Sequence, residues 1–264
     1  MESADIKWRS AAECLLMPWR LHNRIAGIAP ELRPATRSEG YKVQAALAKL
    51  TGEPMIGWKI AATSAAGQKH IGVDGPMAGR MLASRLKPNG DWVGIGSNSL
   101  KVGEAEFAFR MGRDLPPRST PYITDDVLAA SAALLPAMEF PDSRYEDFLA
   151  VGEAQFIADF ACAGYVILGV EARETWRSLD LASHQVSAWI DDRKAADGIG
   201  SNVLGGPAVA LAWVANELSR EGMGLKAGEV VITGTCVAPV PVSPGQKFTV
   251  DFGILGKVSV RLTE

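Results

Sequence analysis

Apolar positions recur at helical spacing over roughly the first fifty residues and at strand spacing over much of the remaining chain. Thr36 and Glu39 form a capping box, in which each side chain reaches an exposed backbone N–H near the helix start. Behind it Val43, Ala46, Leu47 and Leu50 fall on one apolar helix face, and Gly52 and Pro54 end the helix. Residues 55–62 read as a strand and 64–70 as a short helix. The Gly- and Pro-rich stretch 72–96 reads as loops and short strands. Residues 102–111 alternate with period two, a clear strand. Thr124 is expected to cap a helix running to about residue 135 and closed by Pro136, with the next strand at 138–140. A helix is expected over 153–160, a strand over 165–170, and a hairpin arm over 184–190 that turns at Asp191-Asp192. Pro207 opens a helix with Leu211, Val214, Ala215 and Leu218 on its apolar face, stopped by Gly222. Strands over 229–233, 247–252 and 257–262 close the chain.

Strands and helices do not alternate regularly, which disfavours a doubly wound parallel sheet and favours an α+β fold with a mixed or antiparallel sheet. The pattern divides the chain into a helical N-terminal region, 1–53, and a β-rich body, 54–264.

Composition narrows the function classes. The 264 residues include 47% apolar and 22% charged residues, ordinary for a soluble globular protein, and a chain of this length buries a core without staples. The net charge of −3 and the scattered basic residues give no nucleic-acid footprint. Cys14, Cys162 and Cys236 are odd in number and widely spaced, so they read as buried thiols of a reducing compartment rather than a disulfide frame or zinc site. Met1 to Asp5 lack the basic and apolar regions of a signal peptide, and the uncharged run 230–246 is broken by Gly234, Pro239, Pro241, Pro244 and Gly245. The expectation is a cytoplasmic protein with no membrane or nucleic-acid partner. Gly94-Ile95-Gly96 lacks the strand–helix context of a phosphate loop, so no nucleotide cofactor is expected. His22, His70 and His184 have no partner at ligand spacing and read as surface or helix-end residues. Trp58, Trp92, Trp189 and Trp213 lie in apolar runs and are expected in the core or at subunit contacts.

The chemistry-bearing run is Val102-Gly103-Glu104-Ala105-Glu106-Phe107-Ala108-Phe109. Residues i and i+2 of a strand share a face, so Glu104 and Glu106 point one way and Phe107 and Phe109 the other. Paired carboxylates backed by aromatics need a cation, a proton or full hydration. From the strand alone, an exposed polar face is the simpler reading. A third carboxylate, Glu139 between Met138 and Phe140, lies in an apolar segment, where carboxylates are rare unless paired or metal-bound. Three carboxylates without His or Cys suit a hard ion, Mg²⁺ or Mn²⁺, rather than zinc.

Gly103-Glu104-Ala105-Glu106, followed about thirty residues later by Met138-Glu139-Phe140-Pro141-Asp142-Ser143-Arg144-Tyr145, resembles the metal-ligand pattern of a branch of the fumarylacetoacetate hydrolase superfamily. That branch holds the 2-oxopent-4-enoate hydratases and 4-oxalocrotonate decarboxylases. Further similarities run in order along most of the chain: Tyr41-Lys42-Val43-Gln44, Gly57-Trp58-Lys59-Ile60, Ala158-Asp159, the loop Asn202-Val203-Leu204-Gly205-Gly206-Pro207, Leu225-Lys226-Ala227-Gly228 and Thr233-Gly234-Thr235. The resemblance implies a mixed β-roll with packed helices, and usually a homo-oligomer. It implies Glu104, Glu106 and Glu139 as metal ligands, Lys59 as an acid/base or carboxylate-orienting group and Asp159 as a second polar group lining the site. Thr235, Gly234 and Gly206 would hold the substrate. A buried lysine near a metal is expected to have a lowered pKa. The implied substrate is a small unsaturated 2-oxo acid, converted through a metal-stabilised enolate by hydration or, alternatively, by decarboxylation. A non-catalytic metal-binding paralogue is a further reading. The His-Glu pair on the N-terminal lid of the superfamily's C–C hydrolases is absent, which argues against hydrolysis. The chain departs from the hydratase pattern at Pro76-Met77-Ala78-Gly79, in place of Pro-Asp-Phe-Gly, and at Phe160, in place of Asn. Both changes are expected to make the pocket more apolar.

Overall fold

The computed structural model describes residues 3–264; Met1 and Glu2, part of the segment read for a leader, lie outside the described residues. The elements run α1 (Ser3–Leu21), α2 (Arg37–Thr51), β1 (Met55–Ala61), α3 (Ala65–Ile71), β2 (Met77–Leu82), β3 (Leu86–Lys87), β4 (Trp92–Gly94), β5 (Val102–Met111), α4 (Thr124–Ala130) and β6 (Ser131–Phe140). Next come α5 (Glu153–Ala158), β7 (Tyr165–Leu168), β8 (Gln185–Ile190), β9 (Arg193–Ile199), α6 (Pro207–Arg220), β10 (Val230–Thr235), β11 (Val240–Pro241), β12 (Lys247–Asp251) and β13 (Lys257–Thr263). Among the described residues no helix is long and apolar enough to cross a membrane.

The larger sheet is mixed, in the order β2-β1-β10-β5-β6-β7-β3, with β11 paired to β5. The smaller sheet runs β4-β13-β12-β8-β9. This is the expected α+β architecture with a mixed sheet. One face of the larger sheet carries Phe107 and Phe109, which pack among α6 residues Leu211, Val214, Ala215 and Leu218 and the inner face of the smaller sheet. Phe107 meets Phe252 edge-on at 5.0 Å, and Phe140 meets Phe248 at 5.7 Å. The opposite face carries a separate apolar cluster of Met81, Ala108, Ala133, Leu135, Ala137, Val166, Val230 and Ile232. Glu104, Glu106 and Glu139 belong to that second face.

The N-terminal helices pack Ala11, Ala12, Leu15 and Trp19 of α1 with Val43 and Leu47 of α2, and this cluster continues into Leu82 and Phe160 of the body. Thr36 Oγ1 accepts the Glu39 N–H at 3.2 Å and Gly52 ends α2 at φ 73. The return contact of the capping box reaches one residue earlier, from Ala35 N to Glu39 Oε2.

One element differs from its sequence pattern. The helix opening at Thr124 ends at Ala130, and residues 131–140 form β6, with Pro136 inside the strand opposite Phe107. Nine of those ten residues are buried, so neither periodicity is visible, and pairing with β5 decides. Pro136 is tolerated because, just past the Ala137–Leu168 pair that ends the β6–β7 register, its carbonyl accepts the Gly169 N–H at 2.8 Å, a bond that asks for no N–H of its own. The N–H of Ile123, ahead of that helix, is satisfied by Asp126, not by a Thr124 cap. Trp58 is buried in the core, and Trp92 is 61% exposed on this chain. Cys162 and Cys236 are buried free thiols and Cys14 is half-buried.

Candidate metal centre and active site

The antiparallel register of β5 and β6 sets Glu104 directly opposite Glu139, and Glu106 opposite Ala137. Directly paired residues share a sheet face, so all three carboxylates converge, with ligand oxygens within 4.8 Å of one another. Glu106 and Glu139 are fully buried and Glu104 is half-buried. Beneath them the same face is closed by Ala108, Ala137, Val166 and Ile232, so water does not hydrate the pair from below.

Each buried carboxylate is held by one backbone donor. Gly234 N–H donates to Glu106 Oε2 at 2.6 Å, and Gly164 N–H donates to Glu139 Oε1 at 3.2 Å. The remaining oxygens, Glu106 Oε1 and Glu139 Oε2, are buried without a hydrogen-bond partner among the described residues. Buried acceptors of this kind carry a desolvation cost that a ligand must offset. Burial pushes the Glu104 carboxyl up to about 7, helped by Glu139 and opposed by Lys59. Burial, with Glu139 and Glu104, raises Glu106 well above the usual carboxylate range. Three converging carboxylates, with Glu106 Oε1 left without any partner among the described residues, fit a divalent cation.

Lys59 lies on β1, beside Ile232 of β10 on one side and Gly79 of β2 on the other. It is buried, its Nζ 3.2 Å from Glu139 Oε2, and it donates to the Ala161 carbonyl at 3.0 Å. The lowering expected for a lysine near a metal is not produced by the carboxylates alone. Burial pulls the ammonium down, but Glu139, Glu104 and Glu106 together outweigh it and raise the pKa.

The other residues singled out in the sequence divide. Gly234 sits at the cluster through its N–H. Thr235 pairs with Glu106 across β10, but its hydroxyl donates to Val237 O at 2.8 Å. Gly206 caps α6, and the nearest atoms to its vacant side-chain position belong to Ala182 and Val209, not to the carboxylate cluster. Asp159 is not a free acid lining the site. It is buried against Arg144, accepting from Arg144 Nε, from Arg144 N at 2.9 Å and from Ser143 Oγ at 2.8 Å. Phe160 turns away from the pocket and meets Trp19 at 5.1 Å, so the expected apolar effect of this departure falls on the N-terminal helices. Met77, opposite Ala61, shares the Lys59 face, whereas Ala78, opposite Ile60, does not. His184 is bound to Phe252 O at 2.8 Å, away from the carboxylates.

Thr63 escaped the sequence reading. It is 6% exposed, makes no side-chain hydrogen bond among the described residues, and stands directly over Gly234, where an added Cβ would approach Thr63 Oγ1 to 2.2 Å. Its only sequence signal is its place just past the Lys59 strand.

No family model matches the chain. Among curated proteins it is 34% identical over 221 residues to a 2-hydroxyhexa-2,4-dienoate hydratase of Comamonas testosteroni, covering 83% of this chain and 82% of that one. It is 32% identical over 265 residues to 2-keto-4-pentenoate hydratase 1 of Dechloromonas aromatica, covering 98% of both. The chain belongs to the 2-keto-4-pentenoate hydratase family. It is thereby an enzyme of the hydro-lyase type. Among solved structures, 4-oxalocrotonate decarboxylase from Pseudomonas putida G7, complexed with magnesium and adipate, superposes with a TM-score of 0.88 at 28% identity over 97% of each chain. A fumarylacetoacetate hydrolase family protein from Yersinia pestis CO92 shares the fold at a TM-score of 0.58 and 18% identity, over 80% of this chain and 94% of that one.

Proposed function

We propose that this family member hydrates a small unsaturated 2-oxo acid such as 2-oxopent-4-enoate, supplied as its enol 2-hydroxypenta-2,4-dienoate, with Mg²⁺ or Mn²⁺ held by Glu104, Glu106 and Glu139. The observation that carries the reading is the convergence of three oxygen donors, with Glu106 Oε1 buried and unpartnered and Glu139 Oε2 met only by the buried Lys59 ammonium. A bound divalent ion supplies Lewis acidity toward the oxygens of the 2-oxo acid.

The chain's own residues supply the rest. Lys59 is held charged between Glu139 and the Ala161 carbonyl, leaving one N–H direction for the substrate. In the dienol, the proton on the C2 oxygen leaves and C5 gains one, giving a conjugated enone. Hydroxide from water then adds at C4 and a proton at C3, giving 4-hydroxy-2-oxopentanoate. Lys59 is the donor placed to supply a proton on the carbon chain or to hold the substrate carboxylate. Gly234 fixes Glu106, and Thr63 and Thr235 border the same end of the site. The apolar floor limits water to the open side.

Decarboxylation is the second reading, favoured by the close superposition on the decarboxylase at TM-score 0.88; it needs the same stabilised enolate, formed by loss of CO₂. Incubation of the Mg²⁺-loaded protein with 2-hydroxypenta-2,4-dienoate and, separately, with 4-oxalocrotonate separates the two. Formation of 4-hydroxy-2-oxopentanoate supports the hydratase. CO₂ release without hydration of the dienoate supports the decarboxylase. A cytoplasmic homo-oligomer with no nucleic-acid partner completes the proposal.

A further inference from the structure

Phe160, Ala161 and Cys162, three consecutive non-glycine residues, have φ of 52, 49 and 60. L side chains rarely adopt this left-handed region even singly, and such backbone persists only where its surroundings over-determine it. Here the turn is held by Asp142 N–H on the Cys162 carbonyl at 3.0 Å, by its own bonds from Cys162 N–H to Asp159 O and from Ala163 N–H to Phe160 O, by Phe160 packed on Trp19, and by a buried guanidinium with its acid. Arg144 Nη2 donates to Asp159 O at 2.8 Å and Nη1 to Ala163 O at 3.1 Å, so one side chain bridges the residues on either side of the turn. Asp159 is bound in return by Arg144 Nε and N and by Ser143 Oγ. Arg144 is 2% exposed and Asp159 fully buried.

The turn delivers its atoms to Lys59. The Ala161 carbonyl receives the Lys59 ammonium at 3.0 Å. The Phe160 carbonyl packs onto Gly79, where an added Cβ would approach it to 1.9 Å and Lys59 Cγ to 3.1 Å. Gly79 is the direct β2 partner of Lys59, so the turn lies against the lysine stem as well as its head. Immediately after the turn, Gly164 N–H holds Glu139, the second group on the ammonium.

We infer that Arg144 and Asp159 are positioning residues: by clamping the left-handed turn 160–162 they aim the Ala161 carbonyl at Lys59 and fix the direction in which its remaining proton faces the substrate. This rests on the role proposed above for Lys59. Neither side chain touches substrate; both act through the lysine.

The test is a double-mutant cycle on the Mg²⁺-loaded enzyme. Arg144→Lys removes the bridging fork, and Ala161→Gly, which suits a left-handed backbone and so preserves folding, frees the carbonyl. With Lys59 present, kcat is expected to fall about 10²-fold in Arg144→Lys and about tenfold in Ala161→Gly, misplacement rather than loss of the group. KM and Mn²⁺ affinity should stay within about threefold, because no binding group is removed. In a Lys59→Met background neither substitution should lower kcat further, since a residue acting through Lys59 has nothing left to position. Equal losses in both backgrounds, or unchanged kcat in Ala161→Gly with Lys59 present, overturn the inference while leaving the role of Lys59 intact. An undiminished kcat in Lys59→Met alone removes the lysine role and this inference with it. If Arg144→Lys does not fold, the Ala161→Gly cycle decides.

Discussion

At the scale of single residues, the site is a problem of charge. Glu104, Glu106 and Glu139 were legible because carboxylates at i and i+2 of a strand share a face and a lone Glu in an apolar run needs a partner. What was not legible was how the neighbouring polar and aromatic residues are committed. Asp159 reads as a site acid in a row of letters, but Arg144, fifteen residues earlier, occupies both its oxygens. Phe160 reads as a pocket residue, but its φ of 52 sends the ring to Trp19. Two substitutions probe the charges directly. Glu106→Gln keeps the shape and removes one anionic donor, so Mn²⁺ affinity should fall sharply, by about 10²-fold as for loss of a key site group. The protein should still fold, because the metal-free carboxylates repel one another. Mn²⁺ titration followed by electron paramagnetic resonance checks this, and parental affinity would strike Glu106 from the ligand set. Lys59→Met keeps length and apolar stem but deletes the ammonium. Its kcat should drop about 10²–10⁴-fold, the range for losing a positioned acid or base, with Mn²⁺ affinity retained. Unchanged kcat/KM in steady-state kinetics would leave the chemistry to the metal and its water.

At the scale of elements, the register of β5 on β6 and of β10 on β5 builds the centre. The alternation of β5 was visible from the sequence because one face is aromatic and the other acidic. β6 was cut short because its residues are buried nearly throughout, which erases the period, and because Pro136 imitates a helix stop. β10 contributes through Gly234, at φ 94, whose N–H holds Glu106 and whose missing side chain makes room for Thr63. Gly234→Ala therefore strains the strand and displaces its N–H. Stability should fall by about 1–3 kcal/mol, the usual cost of an L side chain in such a conformation, with weaker Mn²⁺ binding. Thermal melts with and without Mn²⁺ measure both, and a variant equal to the parent in both would mean that the Gly234 contact does not shape the site.

At the scale of the whole molecule, the closed face of the larger sheet couples the metal site to stability. Burial, helped by Glu139 and opposed by Lys59, raises the Glu104 carboxyl to about 7, and burial also raises Glu106 well above the usual carboxylate range. In metal-free protein the native state therefore binds more protons than the unfolded chain above the ordinary carboxylate range of about 4.3. Where the native state holds the extra protons, stability falls as pH rises. The metal-free protein should thus melt at a lower temperature at pH 8 than at pH 6, the reverse of an ion-paired carboxylate. Saturating Mn²⁺ should narrow or invert the difference, because metal binding displaces those protons. Metal-free melting that rises between pH 6 and 8 would contradict the burial and mutual repulsion of these carboxylates. The α+β class and the helical N-terminal region were readable from periodicity. The second apolar face beneath the carboxylates was not, because it is assembled from five strands far apart in the chain.

The most direct test of metal-dependent hydration is turnover of 2-hydroxypenta-2,4-dienoate by one preparation carried through removal and return of the ion. After treatment with EDTA and exchange into metal-free buffer, formation of 4-hydroxy-2-oxopentanoate should cease. Mg²⁺ or Mn²⁺ alone should restore it, since three carboxylate ligands suit hard ions. Full turnover by rigorously metal-free protein would contradict metal-dependent hydration at this site.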